Sequence, residues 1–254
     1  MTRIVTLLLS LFAFTAAEAA TVMITGASRG IGFEFAKRYA EQGWDVIATA
    51  RTPEDDKTLQ ALASAHDNVR LETLDVTDHA GIDALAQKLS GTTIDVLINN
   101  AGIAGGRNTQ DFGNIDYSVF NDVMNINVLG PLKVTEAFLE HVGASDQKKV
   151  INISSSEGRL SLVRGARQPF YRASKSALNM VMKNVSIHPA VKEQGIIIGI
   201  LTPGFVDTDF TAGLPKQLMI DVETSVSRSM AMIEKYDLEM SGKYFANTGE
   251  EMTW

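Results

Sequence analysis

The chain has 254 residues, of which 45% are hydrophobic, and this length and composition fit one large α/β domain. Its formal net charge of −7, with no arginine- or lysine-rich run, argues against nucleic-acid binding, which needs basic surface to neutralise phosphates. The chain has no cysteine and four scattered histidines, so no metal-ligand spacing is recognisable and we predict no metal site.

The first nineteen residues have the three parts of a secretory signal peptide. Arg3 is followed by the apolar run 4–17 and then by Ala17-Glu-Ala19, which fits a cleavage site. We predict cleavage after Ala19 and export, with the periplasm as the expected compartment, which leaves residues 20–254 as a single domain. The alternative is a cytoplasmic protein with an unusual apolar leader. The run is short for a membrane span, so no stable membrane insertion is expected once it is removed.

Seven apolar segments of strand length alternate with segments of helical length along the rest of the chain. They lie at 22–25, 46–50, 69–74, 96–98, 150–154, 196–201 and 243–246. Such alternation is typical of βαβ units, and right-handed crossovers then predict a doubly wound parallel sheet of the Rossmann type with helices on both faces. Ligands of these sheets bind at the carboxyl ends of the strands.

A glycine-rich turn follows the first predicted strand, in Thr25-Gly-Ala-Ser-Arg-Gly-Ile-Gly32. Gly26 permits a tight turn, Gly30 lets the backbone approach a pyrophosphate, and Gly32 allows close helix packing, while the free N–H groups of the helix start attract the anion. Ordinary turn chemistry is the alternative, but a position between a strand and a helix favours dinucleotide binding.

The end of the second predicted strand indicates which dinucleotide is bound. It holds Ala50 and Arg51, with no acidic residue to accept hydrogen bonds from a ribose 2′-hydroxyl. Arg29 lies inside the glycine turn, so two guanidinium groups could hold a 2′-phosphate by charge-assisted hydrogen bonds. We therefore predict NADP(H) in preference to NAD(H), the alternative being that both arginines are merely solvated.

Tyr171 and Lys175 are spaced one helical turn apart, which places a phenol and an ammonium on one helix face. A free phenol titrates near pH 10, and a neighbouring cation can bring it into use as an acid or base near neutrality. A surface helix pair is the alternative interpretation. The strand predicted upstream ends in three serines, so Ser155 could project at its carboxyl end and meet Tyr171.

Four separated motifs occur in the order that a known family has. They are Thr25-Gly-Ala-Ser-Arg-Gly-Ile-Gly32, Asn99-Asn-Ala-Gly102, the set Ser155, Tyr171 and Lys175, and Pro203-Gly204 followed by Thr208. From Thr25 to its end, the chain therefore resembles the classical short-chain dehydrogenase/reductase family. Within it, the run 171–180 and the ending 242–254 resemble the carbonyl-reductase branch that includes C-factor-like and sniffer-like proteins.

The resemblance implies a catalytic set of four side chains. Tyr171 would donate the proton to a carbonyl, and Lys175 would lower its pKa and bind the nicotinamide ribose. Ser155, three residues before Gly158, would hydrogen-bond the substrate oxygen.

The fourth member is Asn127, three residues before Gly130, which would hold a water of the proton relay. Asn125 is the alternative candidate for this role and is expected on another face of the helix.

The resemblance also implies a set of cofactor contacts, a substrate lid at about 204–226, and a homodimer or homotetramer in which the helix that continues through 177–185 forms an interface. The predicted cofactor-binding residues are Gly26, Ser28, Arg29, Gly30, Ile31, Gly32, Arg51, Asp75, Val76, Asn99, Ala101, Gly102, Tyr171, Lys175, Pro203, Gly204, Val206 and Thr208.

Together these patterns predict an NADP(H)-dependent oxidoreductase that interconverts a small-molecule carbonyl and an alcohol. The alternative is a non-catalytic dinucleotide-binding signalling or sensor protein on the same fold. Between Ser155 and Tyr171 the chain carries Arg159, Arg164 and Arg167, which could attract an anionic substrate or simply form a solvated loop face.

Overall fold

A computed structural model describes residues 19–106, 109–163 and 165–254. The predicted leader, apart from Ala19, lies outside the described residues, as does Arg164 of the loop arginines. Seven strands form one parallel sheet in the order β3-β2-β1-β4-β7-β8-β9, and two short strands form a separate antiparallel hairpin. The strands are β1 (Thr21–Ile24), β2 (Asp45–Ala50), β3 (Val69–Thr73), β4 (Val96–Asn99), β5 (Gln110–Asp111), β6 (Asn114–Ile115), β7 (Lys149–Ile153), β8 (Ile197–Thr202) and β9 (Tyr244–Ala246).

The doubly wound parallel sheet predicted from the sequence is confirmed, and each of the seven predicted strands is present within one residue at either end. The α-helices are α1 (Gly30–Glu41), α2 (Lys57–Ala65), α3 (His79–Lys88), α4 (Val119–Met124), α5 (Gly130–Ala137), α6 (Leu139–Gly143), α7 (Pro169–Ser186), α8 (Pro189–Glu193) and α9 (Val222–Lys235). In the part of the chain that the structure describes, no helix is both long and apolar enough to span a bilayer.

Helices cover both faces of the sheet. Because successive residues of a strand point to opposite faces, the side chains of the strands pack into two separate cores. Val22 of β1 belongs to the core under α1, α2 and α9, where it packs with residues such as Phe35. Met23, the next residue, belongs to the core under α3, α5 and α7, with residues such as Leu178. Because both faces are buried, the strands are largely apolar, and this is why they could be predicted from the sequence.

Helices α4 and α5 are joined without a break by a π-helical turn, Asn125–Leu129. In this turn the N–H of Gly130 donates to the carbonyl of Asn125, five residues earlier, instead of to the usual carbonyl four residues earlier. Single π-helical turns of this kind occur frequently at functional sites. Asn127 lies in the middle of the turn and is fully buried.

Because the seven strands are parallel, their carboxyl ends meet at one edge of the sheet. Thr25 follows β1, Asn99 ends β4, Ser155 follows β7 by two residues and Pro203 follows β8. The four motifs that are scattered through the sequence are therefore brought to the edge where such sheets bind ligands.

Candidate active site

Helix α7 presents Tyr171 and Lys175 on its buried face, where they are 8% and 6% exposed. The Nζ of Lys175 donates a hydrogen bond of 2.9 Å to the carbonyl oxygen of Ile153, the last residue of β7. Burial lowers the pKa of Lys175 from 10.5 to about 8, because an ammonium is less stable away from water. Lys175 is therefore still mostly protonated at neutral pH but is poised to titrate just above it.

The turn after β7 is clamped onto α7, and this positions Ser155. A Cβ on Gly158 would lie 2.8 Å from the backbone of Lys175, so only glycine allows this approach. The hydroxyl of Ser176 donates to the carbonyl of Gly158 at 2.6 Å. The Oγ of Ser155 accepts the N–H of Glu157 at 3.2 Å, an interaction that does not use the hydroxyl proton of Ser155.

The neighbouring serine has a different environment. Ser154 is 3% exposed and its hydroxyl donates to the Oδ1 of Asn179 at 2.5 Å. Its hydroxyl is thus committed to the contact between β7 and α7, whereas Ser155 is only half-buried at the edge of the sheet.

Asn127 connects the π-helical turn to both the loop after β4 and helix α7. Its Oδ1 accepts the N–H of Ile103 at 2.9 Å, and its Nδ2 donates to the carbonyl of Ile103 at 2.8 Å and to the Oγ of Ser174 at 2.9 Å. Asn125, the alternative candidate, is exposed. The structure thus brings Asn127, not Asn125, to the buried face of α7.

The loop after β4 passes directly over this group. A Cβ on Gly102 would lie 3.3 Å from the Oδ1 of Asn127 and 3.7 Å from the Nζ of Lys175. Gly102 is therefore next to two members of the predicted catalytic set.

The glycine turn is supported by Thr25 and Asn100, two motif residues that we did not include among the predicted site residues. The Oγ1 of Thr25 accepts the N–H groups of Asn100 and Ala101 at 3.0 and 3.1 Å. The Nδ2 of Asn100 donates to the carbonyls of Thr25 and Gly26, both at 3.0 Å. A Cβ on Gly32 would overlap the Gly26 carbonyl and this same amide, so the turn requires glycine there.

The amino end of α1 is a site that suits an anion. Its N-cap residue, Arg29, makes no side-chain capping hydrogen bond, and the first turn contains no acidic residue. Unpaired N–H groups at a helix start, together with the helix dipole, favour a phosphate. Gly26 and Gly30 have φ angles of 67° and 57°, which place the backbone close to such a ligand without strain.

Arg29, at this helix start, and Arg51, directly after β2, are both exposed, and within the described ranges neither forms an ion pair. Arg51 is electrostatically coupled to Asp75. Partial burial opposes ionisation of Asp75, but hydrogen bonds from the N–H and hydroxyl of Thr77, together with Arg51, hold its pKa below the usual value. Both guanidinium groups are therefore accessible to a ligand phosphate.

Two predicted cofactor residues have side chains that point into the protein. The Nδ2 of Asn99 donates to Asn152 Oδ1 and Thr135 Oγ1, both at 3.0 Å, and the residue is 3% exposed. Val76 is 7% exposed, and its Cβ would lie 2.9 Å from a Cβ added to Gly130. A cofactor could reach these two residues only through their backbone.

The segment after β8 borders the glycine turn and leads into helix α9. Gly204 has a φ of 89°, and the methyl group of Thr208 would lie 3.6 Å from a Cβ on Gly30, so this segment borders the glycine turn. Helix α9 begins at Val222, and Val226 is fully buried, so the last residues of the predicted 204–226 lid form the start of this helix, and the lid itself stays a prediction. Helix α9 begins there because Asp221 is its N-cap residue, and the carboxylate of Asp221 accepts the N–H of Thr224.

Phe210 lies within the remaining segment and its ring centroid is 5.5 Å from that of Tyr171. It is 40% exposed, so it contacts the phenol without belonging to the core. Val206 is 3% exposed and forms a bridge to Ile220, which closes the segment at its base.

The described arginines around the loop between Ser155 and Tyr171 have separate environments. The Nη2 of Arg159 donates to Thr253 Oγ1 at 2.6 Å, Arg167 is exposed, and Arg172 forms an ion pair of 2.5 Å with Glu157. Residues 19–106, 109–163 and 165–254 contain no cluster of acidic and histidine side chains that could hold a metal ion.

Comparison with known proteins agrees with this geometry. The short chain dehydrogenase family model matches residues 20–218. The structure resembles a carbonyl reductase from chicken fatty liver, crystallised with NADPH, with a TM-score of 0.84 and 32% identity over 93% of this chain and 99% of that one.

Two further relatives bear on the branch of the family. The carbonyl reductase Sniffer of D. melanogaster has a TM-score of 0.83 and 26% identity over 93% of this chain and all of that one. The C-signal protein of Myxococcus xanthus is 33% identical over 67% of this chain and 99% of its own length. The predicted resemblance is therefore confirmed, and the chain belongs to the short-chain dehydrogenase/reductase family.

Proposed function

We propose that this protein is an NADP(H)-dependent oxidoreductase that interconverts a carbonyl compound and its alcohol. One observation carries the proposal: the phenol of Tyr171 and the ammonium of Lys175 lie buried on one face of α7, at the strand end that leads to Ser155. A purely structural tyrosine would not need a buried lysine with a perturbed pKa one turn away.

Each side chain has a distinct task in the proposed reaction. When bound, NADP(H) would supply the hydride for the carbonyl carbon, or accept it in the reverse direction. The hydroxyl of Tyr171 donates its proton to the carbonyl oxygen, and the hydroxyl of Ser155 donates a hydrogen bond to the same oxygen. The positive charge of Lys175 stabilises the phenolate that remains on Tyr171.

Asn127 fixes helix α7, which carries Tyr171 and Lys175, relative to the loop after β4. Its side chain joins the loop after β4 to Ser174 of α7. Gly102 of that loop is next to both Asn127 and Lys175. We propose that Asn127 also orders a water through which the proton on Tyr171 is replaced. Phe210, in contact with Tyr171, would exclude bulk water from the carbonyl.

The residues at the amino end of α1 fit a dinucleotide, because the helix start has no side-chain cap and the positive φ angles of Gly26 and Gly30 form the turn that precedes it. Arg29 and Arg51, with Ala50 and no acidic residue at the end of β2, support NADP(H) in preference to NAD(H). Several similar structures, including the chicken carbonyl reductase, contain NADP(H), which also supports this choice.

Replacing Arg51 with aspartate should raise the KM for NADPH by about 10- to 100-fold, since a charge-assisted hydrogen bond contributes about 1.5–3 kcal/mol. The KM for NADH should stay the same or fall, because the new carboxylate can accept from a ribose 2′-hydroxyl. Arg228→Asp, the same charge change on the exposed side of α9, is the control. Equal effects of both variants on the two cofactors would rule out a role for Arg51 in selecting between them.

The proposed activity is tested by following NADPH absorbance while the purified protein is mixed with aldehydes, ketones and diketones. Turnover of at least one carbonyl, faster with NADPH than with NADH, is expected. Tight NADPH binding with no turnover on any carbonyl would favour the non-catalytic sensor alternative. Absence of NADPH binding would contradict both functions.

Two further proposals concern the state of the protein in the cell. We propose export with cleavage after Ala19, which the mass of the mature chain would test; an intact leader in a soluble fraction would contradict it.

We also propose a homodimer or homotetramer, because Met180 of α7 and Leu129 of the π-helical turn are apolar side chains that are 70% and 44% exposed. A monomeric mass by light scattering would contradict that assembly.

A further inference from the structure

Helix α7, which carries Tyr171 and Lys175, begins without a cap of its own. The residue before it, Gln168, has a left-handed backbone conformation with φ and ψ both 52°, and its side chain makes no capping hydrogen bond. The first N–H groups of a helix have no partner within the helix and need acceptors from elsewhere. The first helical residue is Pro169, which has no N–H, so Phe170 and Tyr171 are the next donors in need of an acceptor.

A distant glutamine supplies that acceptor. The Oε1 of Gln110, in the short hairpin strand β5, accepts the N–H of Phe170 at 3.1 Å and the N–H of Tyr171 at 3.2 Å. Gln110 is fully buried. It therefore caps α7 from a position about sixty residues away in the chain.

The other end of the same amide holds the loop after β4. The Nε2 of Gln110 donates to the carbonyls of Ala104 and Gly106, at 2.7 and 3.1 Å. Only one orientation of the amide satisfies this environment, because two donors face one end and two acceptors face the other. Removing the amide would leave buried donors and acceptors unpaired on both sides.

The side-chain amide of Gln110 connects two segments whose relative position matters for the proposed chemistry. The loop it holds begins at Gly102, beside Asn127 and Lys175, and the helix turn it holds contains Tyr171. Asn127 makes a second connection between the same loop and α7, through Ile103 and Ser174. Gln110 fixes the amino end of the helix, whereas Asn127 acts one turn further along.

We propose that Gln110 is a positioning residue for the proton transfer, because it fixes the first turn of α7, and hence the phenol of Tyr171, relative to the loop after β4. The inference rests on the proposed function. Displacing a reacting group by about 1 Å can cost about 100-fold in rate. The rest of α7 is anchored by core residues such as Leu178 and Met182, so loss of the cap should loosen its first turn without unfolding the helix.

The test compares Gln110→Met, which keeps the shape but removes both halves of the amide, with wild type. Amide hydrogen exchange at Phe170 and Tyr171 is expected to be at least 10-fold faster, with no change in the second half of α7. The kcat is expected to fall by about 10- to 100-fold while the Kd for NADPH changes less than 3-fold.

Two variants complete the design. Gln110→Glu keeps an acceptor for the two helix N–H groups but loses the donors to the loop, so its exchange rate and kcat should lie between those of wild type and Gln110→Met; it also serves if Gln110→Met does not fold. Asn68→Leu is the matched control, because Asn68 Nδ2 likewise donates to two backbone carbonyls, of Ala40 and Trp44. It should lower stability with kcat and exchange in α7 unchanged.

The outcomes separate this inference from the proposed function. Unchanged exchange at Phe170 and Tyr171 would overturn it, as would faster exchange with an unchanged kcat, since Gln110 would then be a structural cap only. A kcat loss that Asn68→Leu reproduces would also overturn it. If wild type turns over no carbonyl, the proposed function fails, and the exchange rates still decide whether Gln110 holds Tyr171 in place.

Discussion

Replacing Tyr171 with phenylalanine is expected to lower the kcat for carbonyl reduction by about 10²- to 10⁴-fold, the usual contribution of a positioned general acid. The ring would still fill its buried position and contact Phe210, so the fold should be preserved. The Kd for NADPH should change little, because the glycine turn and the start of α1 are intact. Steady-state kinetics and cofactor titration on the same preparations measure the two quantities.

Tyr117→Phe is the matched control for this experiment. Tyr117 is 74% exposed and its ring lies 6.0 Å from that of Phe170, the residue next to Tyr171. Removing its hydroxyl should leave kcat within about 2-fold, because that group is not at the reacting carbonyl. A kcat for Tyr171→Phe within 10-fold of wild type would show that another group delivers the proton.

Replacing Lys175 with methionine is expected to change how the stability of the ligand-free protein depends on pH. The folded-state pKa of Lys175, about 8, lies below its ordinary value of 10.5, so the unfolded chain binds the proton more tightly. Below pH 8 the buried ammonium therefore destabilises the fold, and this penalty disappears as the pH rises from about 8 to 10.5. Over that window wild type should gain about 3 kcal/mol relative to Lys175→Met.

Denaturant unfolding at several pH values from 7 to 10.5 measures this difference. Lys183→Met, an exposed substitution on the same helix, should leave the free energy of unfolding parallel to that of wild type throughout. Lys175→Met also removes the hydrogen bond from Lys175 to the Ile153 carbonyl, which changes the absolute stability, so the dependence of the free energy of unfolding on pH is the decisive quantity. Parallel curves for wild type and Lys175→Met would show that Lys175 is not perturbed by burial.

Much of the fold and part of the candidate site follow from local pattern. The seven strands are continuous apolar segments, and such segments keep their identity whatever they pack against. The spacing of Tyr171 and Lys175 places both on one face of a helix because of the helical period alone. The glycine turn could be predicted because Gly26, Gly30 and Gly32 allow backbone approaches that other residues forbid.

The tertiary structure decided what these side chains contact. Asn99 belongs to a motif beside the predicted cofactor, yet its side chain pairs with Asn152 and Thr135, which lie on other elements. The short hairpin strand of Gln110 carries no readable period, and the amide acts on Tyr171 only because the fold brings them together. Sequence therefore determined the elements, through short-range sterics and periodicity, whereas long-range packing and hydrogen bonding determined how the site is assembled.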